Sequence, residues 1–134
     1  MLGFVITYPE CIIDEVEPTI ALLAGKISLQ RVNLDLLPPK GMADFLIIPG
    51  GSCDQAVVHS GLHELIQDVL TRDGFVAGIC NGAVVLASAG VLKNRRCTHT
   101  AHPKYAPLPD FKELLDFAEV VFKDSIYIDE DVVV

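Results

Sequence analysis

The segment Phe75-Val-Ala-Gly-Ile-Cys80-Asn-Gly-Ala-Val-Val-Leu-Ala87 is the most informative part of the sequence, because a short apolar run passes through one cysteine into a run of small residues. Short apolar runs that stop at turn residues are typical of strands buried on both faces of a parallel sheet. The small residues that follow predict a tightly packed helix ending at Gly90. A strand, a turn and a helix in succession indicate an α/β protein.

The rest of the chain repeats this alternation. Apolar runs predict buried strands over residues 2–6, 45–48 and 75–79. Apolar residues at helical spacing predict helices over residues 12–24, 62–70, 83–89 and 110–117. Two short strands are expected within residues 26–40, and paired strands over 119–123 and 125–128 precede a hairpin turn at 129–131 and a strand at 132–134. The pattern predicts one doubly wound domain over residues 1–134 with a mainly parallel sheet.

Composition limits the possible functions. The 134 residues are 51% hydrophobic and 21% charged, as in compact globular proteins, and the formal charge of −8 argues against nucleic acid as a partner. The sequence contains neither an apolar run long enough to cross a bilayer nor a signal-peptide pattern, so we expect no membrane association and a cytoplasmic location. Four cysteines without dense spacing are expected to be reduced thiols.

Cys80 is the candidate nucleophile. A nucleophile between a strand and a helix occupies a strained, exposed position, and small neighbours such as Gly78 and Gly82 allow the backbone segments to pass closely. The first turn of the following helix favours a thiolate over a thiol. The alternative is a buried structural cysteine, since free cysteine is among the most buried residue types.

Three motifs stand out: Asp44-Phe-Leu-Ile-Ile-Pro-Gly-Gly51, then Ala77-Gly-Ile-Cys80-Asn-Gly-Ala-Val-Val-Leu-Ala-Ser-Ala-Gly90-Val-Leu, and Thr100-Ala-His102-Pro103. Together they resemble the DJ-1/PfpI (ThiJ) family. The resemblance implies a flavodoxin-like three-layer sandwich of the class I glutamine amidotransferase type, a homodimer, and a reactive cysteine with an acidic partner. It also implies a last strand and closing helix that we expect this chain to lack, and a longer segment between Gly25 and Asp44.

The resemblance also suggests the remaining site residues. Family members carry the acid four residues before a proline, which selects Asp14 ahead of Pro18, with Glu10 and Glu15 as alternatives. Acidic residues in the first turn of a helix also occur simply because they complement its dipole.

Backbone amides of Gly51 and Asn81 are the expected oxyanion donors, although paired glycines also occur simply as tight turns. Asn81 stands where protease-like members have histidine, which places the chain nearer the DJ-1-like or hydratase-like branches than the PfpI proteases. His102, with His99 second, is the histidine expected near Cys80.

We therefore expect a cofactor-free, cysteine-dependent hydrolase or hydratase, similar to glyoxalases and deglycases, that acts on a small electrophilic molecule. The alternative is a cysteine oxidation sensor or chaperone-like stress protein that acts through a protein partner. Cys11 and Cys53 are expected at the same sheet edge as Cys80, as apolar fillers or as a resolving thiol. His59 and His63 are four residues apart but have no evident third ligand, so no metal is expected.

Overall fold

A computed structural model of the chain describes residues 1–93 and 95–97, together with the short strands 119–120, 128–129 and 132–133. In chain order, the described elements are β1 (Leu2–Thr7), a 3-10 turn (Ile13–Glu15), α1 (Glu17–Leu23), β2 (Ser28–Asn33), a second 3-10 turn (Leu34–Leu36), β3 (Phe45–Ile48), α2 (Asp54–Val57), α3 (Ser60–Thr71), β4 (Phe75–Gly78), α4 (Gly82–Ser88), β5 (Arg96–Cys97), β6 (Glu119–Val120), β7 (Ile128–Asp129) and β8 (Val132–Val133).

The main sheet has the strand order β2-β1-β3-β4-β8-β7. The pairs from β2 through β8 are parallel, and β7 runs antiparallel to β8. Because β1, β3 and β4 are parallel neighbours, the residues that follow them meet at one edge of the sheet. This carboxyl edge, at which Tyr8, Pro49 and Ile79 leave the strands, is where ligands bind in open α/β sheets.

Helices cover both faces of the sheet. Successive side chains of a strand point to opposite faces, so Phe4 and Ile6 pack into one core cluster while Val5 packs into the other. The larger cluster includes the buried residues of α3 and α4. The smaller cluster contains Val5, Val16 and Ile47, with Ile20 of α1 packed against it. The result is the expected three-layer sandwich.

The segment between residues 12 and 40 differs from the sequence prediction. The helix predicted over 12–24 is divided into a 3-10 turn and α1. Pro18 explains the break, because a proline inside a helix has no N–H to donate and collides with the carbonyl four residues earlier. Residues 26–40 contain one strand, β2, followed by the 3-10 turn Leu34–Leu36, and not the two strands expected.

The carboxyl-terminal strands pair differently from the prediction. β6 pairs with β5 in a separate two-stranded sheet, so the expected pairing of residues 119–123 with 125–128 is wrong for the residues that the structure describes. β7 and β8 pair as an antiparallel hairpin, since Ile128 pairs with Val133 and Asp129 with Val132. Asp129, expected in the turn, belongs to β7. The helix predicted over 110–117 lies outside the described residues.

Within the described part of the chain, none of the helices combines the length and the apolarity required of a membrane span.

Candidate active site

The turn between β4 and α4 places Cys80 in a strained and exposed position. Ile79 continues the line of β4 by donating its N–H to the carbonyl of Ile48 (3.0 Å). The chain then reverses at Cys80, whose φ of 53° lies in the left-handed region, and its side chain is exposed. A residue with a Cβ adopts this conformation at a cost of roughly 1–2 kcal/mol. The strained, exposed turn expected at Cys80 is confirmed, and its role as a nucleophile stays a prediction.

Two glycines make this turn possible. A Cβ at Gly78 would lie 2.7 Å from the carbonyl carbon of Gly82 and 2.8 Å from the nitrogen of Ala83. A Cβ at Gly82 would overlap the carbonyl oxygen of Ile48 on the neighbouring strand. Larger residues at either position would push α4 away from the sheet. The glycines therefore hold the elbow against the carboxyl ends of β3 and β4.

The helix that follows the elbow is anchored in the core. All residues of α4 from Gly82 to Ala87 are buried. The carbonyl of Cys80 accepts the N–H of Ala83 (3.1 Å), so the cysteine is joined to the first turn of this helix. Because a buried helix cannot shift without disrupting its packing, the position of the Cys80 backbone is fixed by the core.

The loop Pro49-Gly50-Gly51, here called the diglycine loop, lies beside the elbow. The side-chain amide of Asn81 donates to the carbonyl oxygen of Gly51 (2.9 Å). Gly51 has a φ of 101°, and a Cβ there would overlap the carbonyl oxygen of Glu10. Cys11 forms a β-bridge with Gly51. Three segments, those after β1, β3 and β4, are therefore joined at the carboxyl edge, as the fold predicts.

Tyr8 is a part of this arrangement that the sequence prediction missed. Its side chain is buried, and its hydroxyl donates to the carbonyl of Pro49 and lies 3.3 Å from that of Gly50. The available signal was a tyrosine directly after the first predicted strand, since a buried phenol requires a hydrogen-bond partner.

The three candidate acids occupy different positions. Asp14 is exposed and lies in the 3-10 turn that follows the segment bound to the diglycine loop. Glu10 is also exposed, has a φ of 63°, and places its backbone carbonyl against Gly51. The side chain of Glu15 lies outside the described residues. The structure thus brings Glu10 to the diglycine loop by its backbone, while the assignment of Asp14 as the acid remains a prediction.

The histidines divide into two groups. His102 and His99, proposed to lie near Cys80, fall outside the described residues. His59 caps α3, its Nδ1 accepting the N–H of Leu62 (3.0 Å), and Nε2 of His63 lies 3.1 Å from the hydroxyl of Ser88. Among the residues that the structure describes, no three histidine, cysteine, aspartate or glutamate side chains are placed to hold a metal ion.

The cysteines near the edge have different environments. Cys53 is buried in the larger core cluster, and Cys11 is half-buried and packs against it. Cys80 is exposed. The environment of Cys53 is that of an apolar filler, whereas solvent reaches Cys80 directly.

A shallow depression on α3, away from the elbow, contains paired charges. Glu64 and Lys40 form an ion pair (2.7 Å), and their hydrogen bond lowers the pKa of the carboxyl and raises that of the amine. The pKa of Asp68 is lowered, first by the N–H of Gly41 (2.9 Å) and then by Arg72. These charged groups are therefore already paired with one another.

Comparison with known proteins agrees with this geometry. The sequence model of the DJ-1/PfpI family matches residues 27–134, and the chain belongs to that family. The uncharacterized protein MJ0967 of Methanocaldococcus jannaschii is 27% identical over 115 residues, which cover 85% of this chain and 53% of that protein. Protein DJ-1 homolog D of Arabidopsis thaliana is 38% identical over 56 residues, 41% of this chain and 14% of that protein.

Among solved structures, DJ-1beta of Drosophila melanogaster superposes with a TM-score of 0.75 at 20% identity, over 98% of this chain and 79% of that one. This similarity confirms the flavodoxin-like fold. The chain spans about half the length of MJ0967 and a smaller share of the Arabidopsis protein.

Proposed function

We propose that the protein is a cysteine-dependent hydrolase or hydratase that acts on a small electrophile such as a 2-oxoaldehyde. The observation that carries the proposal is the exposed Cys80 on a strained turn that the core holds in place. Strain of this kind in a non-glycine residue persists only where the surrounding structure imposes it, and it concentrates at active sites.

The proposed reaction begins at sulfur. The Cys80 thiolate attacks the aldehyde carbon of methylglyoxal, and the electron pair of the carbonyl bond moves to oxygen. Backbone N–H groups of Gly51 and Asn81 stabilise this oxyanion. Asp14, or Glu10 or Glu15 in its place, removes the proton from the first carbon, and the released electron pair forms an enediolate whose C2 oxygen takes a proton from water. The carboxyl then returns its proton to the second carbon as the first oxygen re-forms its carbonyl bond, which leaves a lactoyl thioester. Water then attacks the thioester carbon, sulfur leaves as the thiolate, and lactate is released.

The role of Asn81 supports this chemistry over proteolysis. A cysteine protease activates its thiol with a histidine. In this chain the residue after the nucleophile is Asn81, whose side chain is occupied by the carbonyl of Gly51. An asparagine cannot accept the thiol proton as a base, so the proposal relies on the local setting of the thiol and on an acidic partner.

The test is lactate formation from methylglyoxal by the wild-type protein and by Cys80→Ser. Turnover should be lost in Cys80→Ser and retained in Cys53→Ser, since Cys53 is buried in the core. Cys11→Ser is the second control and should also retain turnover, although Cys11 lies beside the diglycine loop. Absence of turnover on oxoaldehydes, isonitriles and simple esters would contradict an enzymatic role.

The exposure of Cys80 also favours a second candidate function, in which its oxidation alters the binding of a protein partner. Intact mass after mild peroxide distinguishes the two. A stable gain of two oxygen atoms on Cys80, without substrate turnover, would support the sensor. Either function fits a cytoplasmic location, because the cytoplasm keeps thiols reduced. Either function also fits a homodimer, which sedimentation of the full chain tests.

A further inference from the structure

The hydroxyl of Tyr8 is hydrogen-bonded to the diglycine loop. The residue is 4% exposed, and its hydroxyl donates to the carbonyl of Pro49 and lies 3.3 Å from the carbonyl of Gly50. A phenylalanine would fill nearly the same volume without a polar group. The hydroxyl therefore adds a directed contact to the loop that burial of the ring does not require.

Three residues donate hydrogen bonds to carbonyl oxygens of the diglycine loop. Besides Tyr8, the N–H of Ile12 donates to the carbonyl of Gly50 (3.0 Å), and the side chain of Asn81 donates to that of Gly51 (2.9 Å). The described peptide bonds are trans, and in a trans peptide the N–H points opposite to the C=O. Holding the carbonyls of Pro49 and Gly50 therefore fixes the directions of the N–H groups of Gly50 and Gly51.

This matters because the loop is rich in glycine and lies against the elbow. Glycine peptides rotate more freely than others, so the loop has little intrinsic preference for one orientation. A Cβ at Gly82 would lie 3.2 Å from the carbonyl oxygen of Pro49, which places the elbow and the loop in contact. An external constraint on the loop is needed if its N–H groups are to remain aligned during a reaction at Cys80.

We infer that Tyr8 is a positioning residue, which acts through the carbonyls of Pro49 and Gly50 to keep the N–H groups of the diglycine loop directed at the oxyanion formed on the substrate. The inference rests on the proposed oxyanion role of Gly51. In this scheme Tyr8 acts through the loop and not on the substrate.

The test compares Tyr8→Phe with Thr7→Val. The Thr7 hydroxyl donates to the carbonyl of Val32 (3.2 Å) in the neighbouring strand, so Thr7→Val removes one hydroxyl bond from the adjacent residue without reaching the loop. In Tyr8→Phe, the N–H groups of Gly50 and Gly51 should exchange with solvent about tenfold faster, as expected for the loss of one buried hydrogen bond. Thr7→Val should leave that exchange unchanged.

With methylglyoxal, Tyr8→Phe should lower kcat about tenfold or more and leave KM nearly unchanged, since loss of a whole oxyanion donor costs about 10²- to 10³-fold. Equal exchange at the two glycines in both variants would overturn the inference, as would an unchanged kcat in Tyr8→Phe. If the wild-type protein turns over no substrate, the proposed function fails, and the exchange comparison alone then decides whether Tyr8 orients the loop.

Discussion

Replacing Cys80 by glycine should stabilise the protein relative to replacing it by alanine. At most positions the opposite holds, because glycine loses more backbone freedom on folding, by about 0.5–1 kcal/mol. At a φ of 53°, alanine keeps the collision between Cβ and the backbone that glycine lacks. The sign of the difference between the two variants therefore reports the backbone strain at the nucleophile.

The magnitude follows from two opposing terms. Relief of the left-handed conformation contributes roughly 1–2 kcal/mol, and the added flexibility of glycine in the unfolded chain removes about 0.5–1 kcal/mol. The net gain is about 0–1.5 kcal/mol, centred near 0.75 kcal/mol. For a domain of this size, such a gain raises the Tm by about 2–4 °C. Because the Cys80 side chain is exposed, both variants lose little apolar burial, and that loss largely cancels between them.

Thermal unfolding of matched pairs measures this difference. Asp73→Ala and Asp73→Gly form a second pair of variants. They lie at another left-handed position, since Asp73 follows α3 with a φ of 58°, away from the elbow. The same pair at Gln67, exposed within α3, provides an ordinary helical position, at which glycine should be less stable than alanine by about 1 kcal/mol. If Cys80→Gly unfolded below Cys80→Ala, as at Gln67, the strain at the elbow would be refuted.

Three further predictions concern the surrounding scaffold. Gly82→Ala should lower the free energy of unfolding by about 1–3 kcal/mol in urea titrations, because its Cβ would overlap a carbonyl of β3. His59→Ala should lower the free energy of unfolding by about 1 kcal/mol because it removes the N-terminal cap of α3, whereas His59→Asp should retain the cap. Equal stabilities of these two variants would contradict the capping role of His59. Hydrogen bonds from Gly41 and Arg72 lower the pKa of Asp68 in the folded state below its usual value of 3.8. The ionised carboxylate therefore stabilises the protein above pH 3.8, and this stabilisation is lost as the pH falls through the lower pKa of the folded state. Asp68→Asn should weaken that acid dependence in unfolding titrations.

Sequence periodicity predicted the central sheet well because its signal is local. The runs around Val5, Ile47 and Val76 are apolar on both faces, and this pattern is typical of a strand that is buried on both sides of the sheet. The strand pairings near the carboxyl terminus were harder, since β6 pairs with β5, a strand of two residues that leaves little pattern. The break in the first helix at Pro18 was predictable from proline chemistry alone but was not predicted.

The site shows the same division between local and long-range information. The elbow at Cys80 was predictable because a strand, a turn and a helix of small residues are contiguous in sequence. The contact from Tyr8 to Pro49 joins residues 41 positions apart, and the bond from Asn81 to Gly51 joins residues 30 apart. Such contacts depend on the order and register of the strands, which no local pattern specifies.

Alkylation of the native protein tests most directly whether the chemistry runs through Cys80. Iodoacetamide reacts with thiolates, and an unperturbed thiol has a pKa of about 8.5. Peptide mass mapping after brief reaction across a range of pH should show Cys80 modified well below about pH 7, while Cys11 and Cys53 remain unmodified. Modification of Cys80 only near pH 8.5 or above, or at the same rate as the other cysteines, would contradict the assignment of Cys80 as an activated nucleophile.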